Sequence, residues 1–422
     1  MGRRQFIAGA LAASTSTLFY DKIAMASGQA SSIDKNELQK GKMTKRHKVV
    51  SFGNETMNLG HAIAADLSLL GLDVTLLERP ENAHKFETIK KQGGFNVTGD
   101  IKALTSQKTG FAKITNCTTD PREALDGADL IFVNAPVDEF EKWITHIVPY
   151  IEDGAILHFN YYGYWSSLRI YPILKKAGKE NVTITECPSS LYYSGGQNGN
   201  IDFTLMKQGI PLSVFPTNRS DSVFKTLHDL YPTFVPAKNV IETNFMNLNM
   251  IWHAPIALLN IAHFDRLKAS GEDKANFYGT GITESTSLLT EAQDKEREAV
   301  CEAYNIPYRP LMGLANQFSE GFGETIYEAQ RDAKFVKQSS PYPIDLWKQW
   351  LGWDLPLAMV PLISLAELAG VEMPIYKGLT HIFGGILGTD YWKEGLTLEK
   401  LGLESKSFED VLNYVNDGIG EG

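Results

Sequence analysis

Hydrophobic positions follow two different periods along this chain, short runs in the first half and helical spacing in the second. Residues 48–53 form a β-branched run closing on glycine, and residues 59–70 then carry apolar side chains at helical spacing, with Ala62, Ala64 and Ala65 among them. The change of period predicts a strand turning into a helix. Gly71 stands where a helix-ending glycine belongs, and residues 74–77 follow as a buried strand ending at Glu78. Residues 130–133 and 155–159 read as further buried strands, with the amphipathic stretch 139–150 between them. Residues 182–185 continue the alternation, and 212–215 followed by 221–230 read as a last strand-and-helix step. Strands alternating with helices predict a parallel sheet, ending near Pro236.

Beyond Pro236 the spacing becomes helical over long spans, at 246–267, 282–304 and 355–369. The expected fold class is therefore an α/β Rossmann-type parallel-sheet N-terminal domain, residues 46–236, plus an all-α C-terminal domain, residues 237–422. A length of 422 residues with 43% hydrophobic composition suits two cores, since single cores stop growing at roughly 250–300 residues.

The first 45 residues belong to neither domain. Arg3-Arg4-Gln5-Phe6-Ile7 precedes a mildly apolar run, and Ala24-Met25-Ala26 follows as a small-residue cleavage site. This order resembles a twin-arginine export signal over residues 1–26, ahead of a polar tether at 27–45, and predicts an exported, periplasmic protein. The alternative is an N-terminal helix that stays attached. A net charge of -10 argues against nucleic acid and anionic lipid as partners, so no membrane contact is expected once the signal is removed. Cys117, Cys187 and Cys301 lie far apart without metal-ligand or disulfide spacing and read as packed residues, so no metal is expected.

Pyrophosphate binding needs a tight strand-to-helix turn whose backbone N–H groups face the phosphates. The candidate turn is Gly53-Asn54-Glu55-Thr56-Met57-Asn58-Leu59-Gly60, in which Gly53, Asn54, Asn58 and Gly60 would approach the cofactor. It departs from G-x-G-x-x-G, because Glu55 replaces the second glycine and the spacing is longer. Glu78, at the end of the next strand, is placed to accept hydrogen bonds from ribose hydroxyls, which favours NAD. Arg79 could pair with a 2′-phosphate and leaves NADP open. Pro136, after the 130–133 strand, falls where the nicotinamide end passes, though a plain strand-end proline explains it equally. A sheet that kept this architecture and lost tight nucleotide binding is the alternative for the whole turn.

In the helical half, Asn249-Met250-Ile251-Trp252-His253-Ala254-Pro255 puts a histidine at a helix start, and Trp350-Leu351-Gly352-Trp353-Asp354-Leu355-Pro356 puts an aspartate at another, among aromatics. Histidine with aspartate is an acid–base pair. These segments, together with Leu59-Gly60-His61-Ala62, Tyr278-Gly279-Thr280-Gly281-Ile282-Thr283, Asp294-Lys295-Glu296-Arg297, Val360-Pro361 and Gly370-Val371 with Pro374, resemble the opine dehydrogenase family from Lys48 to Leu403. The resemblance implies an NAD(P)-dependent oxidoreductase with His253 and Asp354 as a catalytic dyad, joining an amino acid to a 2-oxo acid by hydride transfer to the imine. The sequence leaves a homodimer open.

Two departures bear on substrate. Gln349 stands where family members commonly carry a carboxylate-gripping arginine, and the loop 186–195 ends in Ser194 and Gly195 where a basic residue is expected. Tyr192, Tyr193, Trp350 and Trp353 instead suggest an aromatic-walled pocket, with interdomain packing as the alternative for each. Two other readings follow: a dehydrogenase of simple 2-oxo or hydroxy compounds on the same fold, and an exported binding protein without catalysis.

Overall fold

The computed structural model describes residues 47–54 and 58–417, so the predicted signal, the tether and Glu55 lie outside the described residues. The first strand, β1 (Lys48–Phe52), is buried along four of its five residues and leads into helix α1 (Leu59–Leu69) and strand β2 (Asp73–Leu77), the strand–helix–strand unit read from the sequence. After β3 (Gly94–Gly99), β4 (Gly110–Lys113) and β5 (Asn116–Thr118), the chain continues through β6 (Leu130–Val133), β7 (Ile156–Phe159), helix α2 (Ser166–Lys176) and β8 (Thr183–Glu186). It then forms β9 (Tyr192–Gly195), β10 (Asn200–Met206), β11 (Ile210–Phe215) and β12 (Phe234–Pro236).

The main sheet has eight strands in the order β12-β11-β8-β7-β6-β1-β2-β5, and its six strands from β8 to β5 are mutually parallel. Strand β11 departs from the expected continuation, running antiparallel to β8. No helix crosses between β8 and β11; the chain instead passes through the β9–β10 hairpin, so it re-enters the sheet in the opposite direction. A second sheet, β4-β3-β10-β9, was not anticipated. Its signal was present, since buried Phe95 and Val97 alternate with exposed Asn96 and Thr98.

The last strand of the main sheet ends at Pro236, and the remainder is helical apart from a two-residue ladder between 274–275 and 342–343. Helix α3 (Asn249–Ala269) is followed by α4 (Glu284–Ala303), which starts on a reciprocal Thr283–Thr286 capping box. A continuous helical stretch then comprises α5 (Leu346–Asp354), a π-helical turn at Leu355–Met359 and α6 (Val360–Leu368). The expected helix start at Asp354 is corrected: the helix begins at Leu346, and Asp354 closes its α-helical first part. Pro356 has no N–H to donate, and at this point the backbone widens to π geometry, which keeps the helix continuous. This stretch is long and apolar enough to cross a membrane, yet most of it is buried in the molecule as a core helix.

Candidate active site

The cofactor end is set by strand register. Phe52 of β1 pairs with both Leu77 of β2 and Val133 of β6, so the residues that follow, Gly53, Glu78 and Asn134, meet at the carboxyl edge of the sheet. On either side of β1 the connections run in opposite directions, the topological position at which open parallel sheets bind ligands. Gly53 donates its N–H to Leu77 O (2.9 Å) with φ +81°, and a Cβ there would lie 2.6 Å from the Trp143 ring. A Cβ on Gly60 would meet the Gly53 carbonyl at 2.1 Å. Bare backbone at both positions is what lets α1 begin directly against β1.

Asn58 precedes α1 in left-handed geometry, and its Oδ1 accepts from Asn54 Nδ2 (2.7 Å). The Asn54 carboxamide oxygen accepts the His61 N–H (3.0 Å), so an uncharged oxygen already occupies one helix-start donor that a phosphate oxygen could use. Burial, assisted by Lys85, lowers the His61 imidazole to a pKa of about 3, so this side chain brings no positive charge to the turn. Glu78 is buried at the end of β2 and accepts from Asn82 Nδ2 (3.4 Å). Arg79 is engaged elsewhere: it pairs with Glu81, reaches Glu139 (3.6 Å) and lies over the Trp143 ring at 5.5 Å. Pro136 sits half-buried after β6, its carbonyl accepting from the Glu139 N–H (3.0 Å). Two glycines at the closest backbone approach and a carboxylate at the end of β2 suit a dinucleotide.

His253 and Asp354, 101 residues apart, are in direct contact in the helical half. The fifth residue of α3 meets the last residue of α5: His253 Nδ1 lies 2.7 Å from Asp354 Oδ2, with both residues buried. Tyr164 donates its hydroxyl to the other carboxylate oxygen (2.7 Å). Burial, and then the charge of Asp354, push the Tyr164 phenol well above its ordinary pKa, which keeps it a donor. With Asp354 accepting, the proton of the neutral imidazole belongs on Nδ1, and Nε2 accepts from the Tyr278 hydroxyl (2.7 Å). Trp350, one helical turn before Asp354, stacks on the imidazole at 4.9 Å and 20°.

Tyr164 reaches the dyad through unusual backbone. Four consecutive residues, Tyr162, Gly163, Tyr164 and Trp165, have φ of 54°, 65°, 48° and 59°. For residues with a Cβ this left-handed geometry costs roughly 1–2 kcal/mol each. Surrounding bonds hold it: Asn247 Nδ2 donates to Tyr162 O (3.3 Å), Arg169 to Tyr164 O (3.2 Å), and the Trp165 N–H to Asn244 Oδ1 (2.7 Å). Strain held this way beside a buried His–Asp pair is characteristic of functional sites.

A cavity of about 700 Å³ opens onto the Tyr278 side of His253. Tyr193, Gln349, Trp350 and Trp353 line it, as do Ser194 and Gly195. Tyr192 does not: successive residues of a strand face opposite ways, and the Tyr192 hydroxyl turns inward to the buried Asp66 (2.5 Å). Sequence reasoning also passed over Tyr164, Lys207 and the role of Tyr278. Lys207 lies in Met206-Lys207-Gln208-Gly209, which reads as a turn where lysine is ordinarily exposed, yet it is buried on the cavity wall. The three cysteines are buried and free, their thiols pushed up by burial to about 11 (Cys117, Cys301) and 12 (Cys187).

Residues 236–387 match the family model of the α-helical domain of NAD/NADP octopine/nopaline dehydrogenases. The chain is 28% identical over 378 residues to an opine dehydrogenase of Arthrobacter sp. (strain 1C), covering 88% of this chain and 99% of that one. Its fold is shared with octopine dehydrogenase in complex with NADH and agmatine, with a TM-score of 0.67 at 18% identity over 87% of this chain and 98% of that one. It is also shared with NADP+-bound yersinopine dehydrogenase, with a TM-score of 0.61 at 14% identity over 86% and 99%. With a helical half that matches the octopine/nopaline dehydrogenase model and a likeness that runs through the sheet as well, the chain is similar to opine dehydrogenases over most of its length.

Proposed function

We propose that this chain is an NAD(P)-dependent oxidoreductase that moves hydride to or from a C=N or C=O carbon of a small molecule, with His253 and Asp354 as its acid–base dyad. The observation that carries the reading is the His253–Asp354 contact at the wall of an aromatic cavity, with Nε2 turned to that cavity. Bound NAD(P)H supplies the hydride. His253 Nε2 gives or takes the proton at the substrate heteroatom, and the Tyr278 hydroxyl now bonded to Nε2 marks where that heteroatom goes. Asp354 holds the tautomer and stabilises the imidazolium, while Tyr164 orients Asp354. Octopine dehydrogenase, which shares this fold, has been captured with NADH and L-arginine and with NADH and pyruvate, which supports an amino acid and a 2-oxo acid as the substrate pair here.

The test is oxidation of NADH and NADPH with a panel of 2-oxo acids, each with and without amino acids. Turnover that requires the amine is the expected result; turnover with the 2-oxo acid alone makes the chain a simple dehydrogenase. Failure to bind either dinucleotide leaves only the non-catalytic binding reading. Glu78 is the NAD-selecting residue, and the engagement of Arg79 with two carboxylates supports that choice. Glu78→Ala is expected to weaken NAD about ten- to a hundredfold, the effect of losing hydrogen bonds to a charged group, and to weaken NADP less. Tighter NADP binding by the unaltered protein would reverse the assignment.

The protein acts outside the cytoplasm, an assignment supported by Arg3-Arg4 and Ala24-Met25-Ala26. N-terminal sequencing of periplasmic protein should begin near Ser27. A cytoplasmic product retaining the first residues, with a distribution indifferent to lysine at both arginines, contradicts it.

A further inference from the structure

Lys207 directly follows β10, and only 1% of the residue is exposed. Its Nζ donates to Ser189 Oγ (2.6 Å) and Ser190 Oγ (3.1 Å) and lies 4.6 Å and 5.4 Å from the ring centroids of Tyr193 and Tyr162. Among the described residues no carboxylate forms an ion pair with it. The other charged side chains on the cavity wall are already engaged: Lys334 faces Glu320 (3.6 Å), and Asp202 accepts from Thr98 (2.7 Å). A buried ammonium surrounded only by neutral partners is costly, and an anion would offset that cost. An ammonium has three hydrogens; the serines take two, and one remains for a ligand.

We propose that Lys207, with Ser189 and Ser190, is the receptor for a substrate carboxylate, so that the cavity takes a carboxylic acid whose reacting carbon lies toward His253. This rests on the oxidoreductase reading above and names the residues that hold the carboxylate of its substrate. It also accounts for the neutral Gln349 on the same cavity, because the positive charge comes from Lys207, as a point donor in place of a planar one.

Burial lowers Lys207 to a pKa of about 7. The titratable groups facing it do not change charge nearby: burial pushes the Tyr162 phenol and the Cys187 thiol each to about 12, and Tyr193 also upward. The cationic form is the one present below the pKa. Carboxylate affinity of the free protein therefore falls as pH rises through about 7, and carboxylate binding is accompanied by proton uptake above it.

The experiment titrates pyruvate and its uncharged analogue pyruvamide into the full protein, alone and saturated with NADH, reading the cavity tryptophans. The wild type is expected to prefer pyruvate, with affinity falling above about pH 7. Lys207→Met is expected to lose about ten- to a hundredfold in pyruvate affinity while leaving pyruvamide and NADH unchanged. Pyruvate and pyruvamide bound alike, neither bound, no fall with pH in the wild type, or a variant that keeps the preference overturns the proposal. Because the probes are also titrated without dinucleotide, failure of NADH to bind counts against the oxidoreductase reading alone.

Discussion

Replacing His253 with alanine is expected to lower turnover by about 10²–10⁴-fold, the usual contribution of a positioned general acid or base, while leaving dinucleotide affinity unchanged. The imidazole bonds to Asp354 and Tyr278 at the cavity, whereas the elements proposed to hold the dinucleotide lie at the carboxyl edge of the sheet, around Gly53, Gly60 and Glu78. Steady-state kcat and the dissociation constant for NADH, measured on the same preparation, separate the two. Removing a buried ring also leaves Asp354 Oδ2 without its donor, at a cost of about 1–3 kcal/mol, so thermal unfolding is followed in parallel. A variant that stays folded and turns over at the wild-type rate would make His253 a packed core residue and remove the dyad from the mechanism.

Asp354→Asn is expected to produce a loss of up to about 10⁴-fold with little change in unfolding temperature. The carboxamide is the same size as the carboxylate. Its oxygen can still accept from Tyr164, but its nitrogen can only donate to His253 Nδ1, which moves the imidazole proton to Nε2, where a base needs a lone pair. The chemistry is therefore lost through the tautomer, with the geometry retained. The diagnostic is a fall in kcat in the oxidative direction, where Nε2 takes the proton, without a matching fall in dinucleotide affinity. Unimpaired turnover would show that Asp354 does not orient the base.

Much of the fold follows from patterns that chain-local physics enforces. Strand β1 running into α1, and β2 ending at Glu78, are visible because buried parallel strands read as continuous apolar runs and helices as a 3.6-residue period. Gly53 and Gly60 are likewise legible, since close backbone approach excludes every other residue. The reversed direction of β11 and the partners of the short strands β3, β4, β9 and β10 were not, because pairing depends on which distant edge is available.

At the site, residue type was readable from the sequence and placement was not. The sequence by itself determined that a histidine and an aspartate with acid–base character lie in the helical half and that a glycine-bounded turn and an acidic strand end lie in the sheet half. Tertiary structure decided that Asp354 closes one part of a long helix rather than opening one, and that a left-handed run brings Tyr164 to it across 190 residues. It also decided that Tyr192 faces Asp66 while its neighbour Tyr193 faces the cavity, and that Lys207 in a turn-like sequence is buried without a carboxylate partner. The physical reason is common to these cases: the identity and period of residues set local backbone preference, whereas the direction of a side chain and the charge it meets depend on segments a hundred or more residues away, whose approach no local pattern encodes.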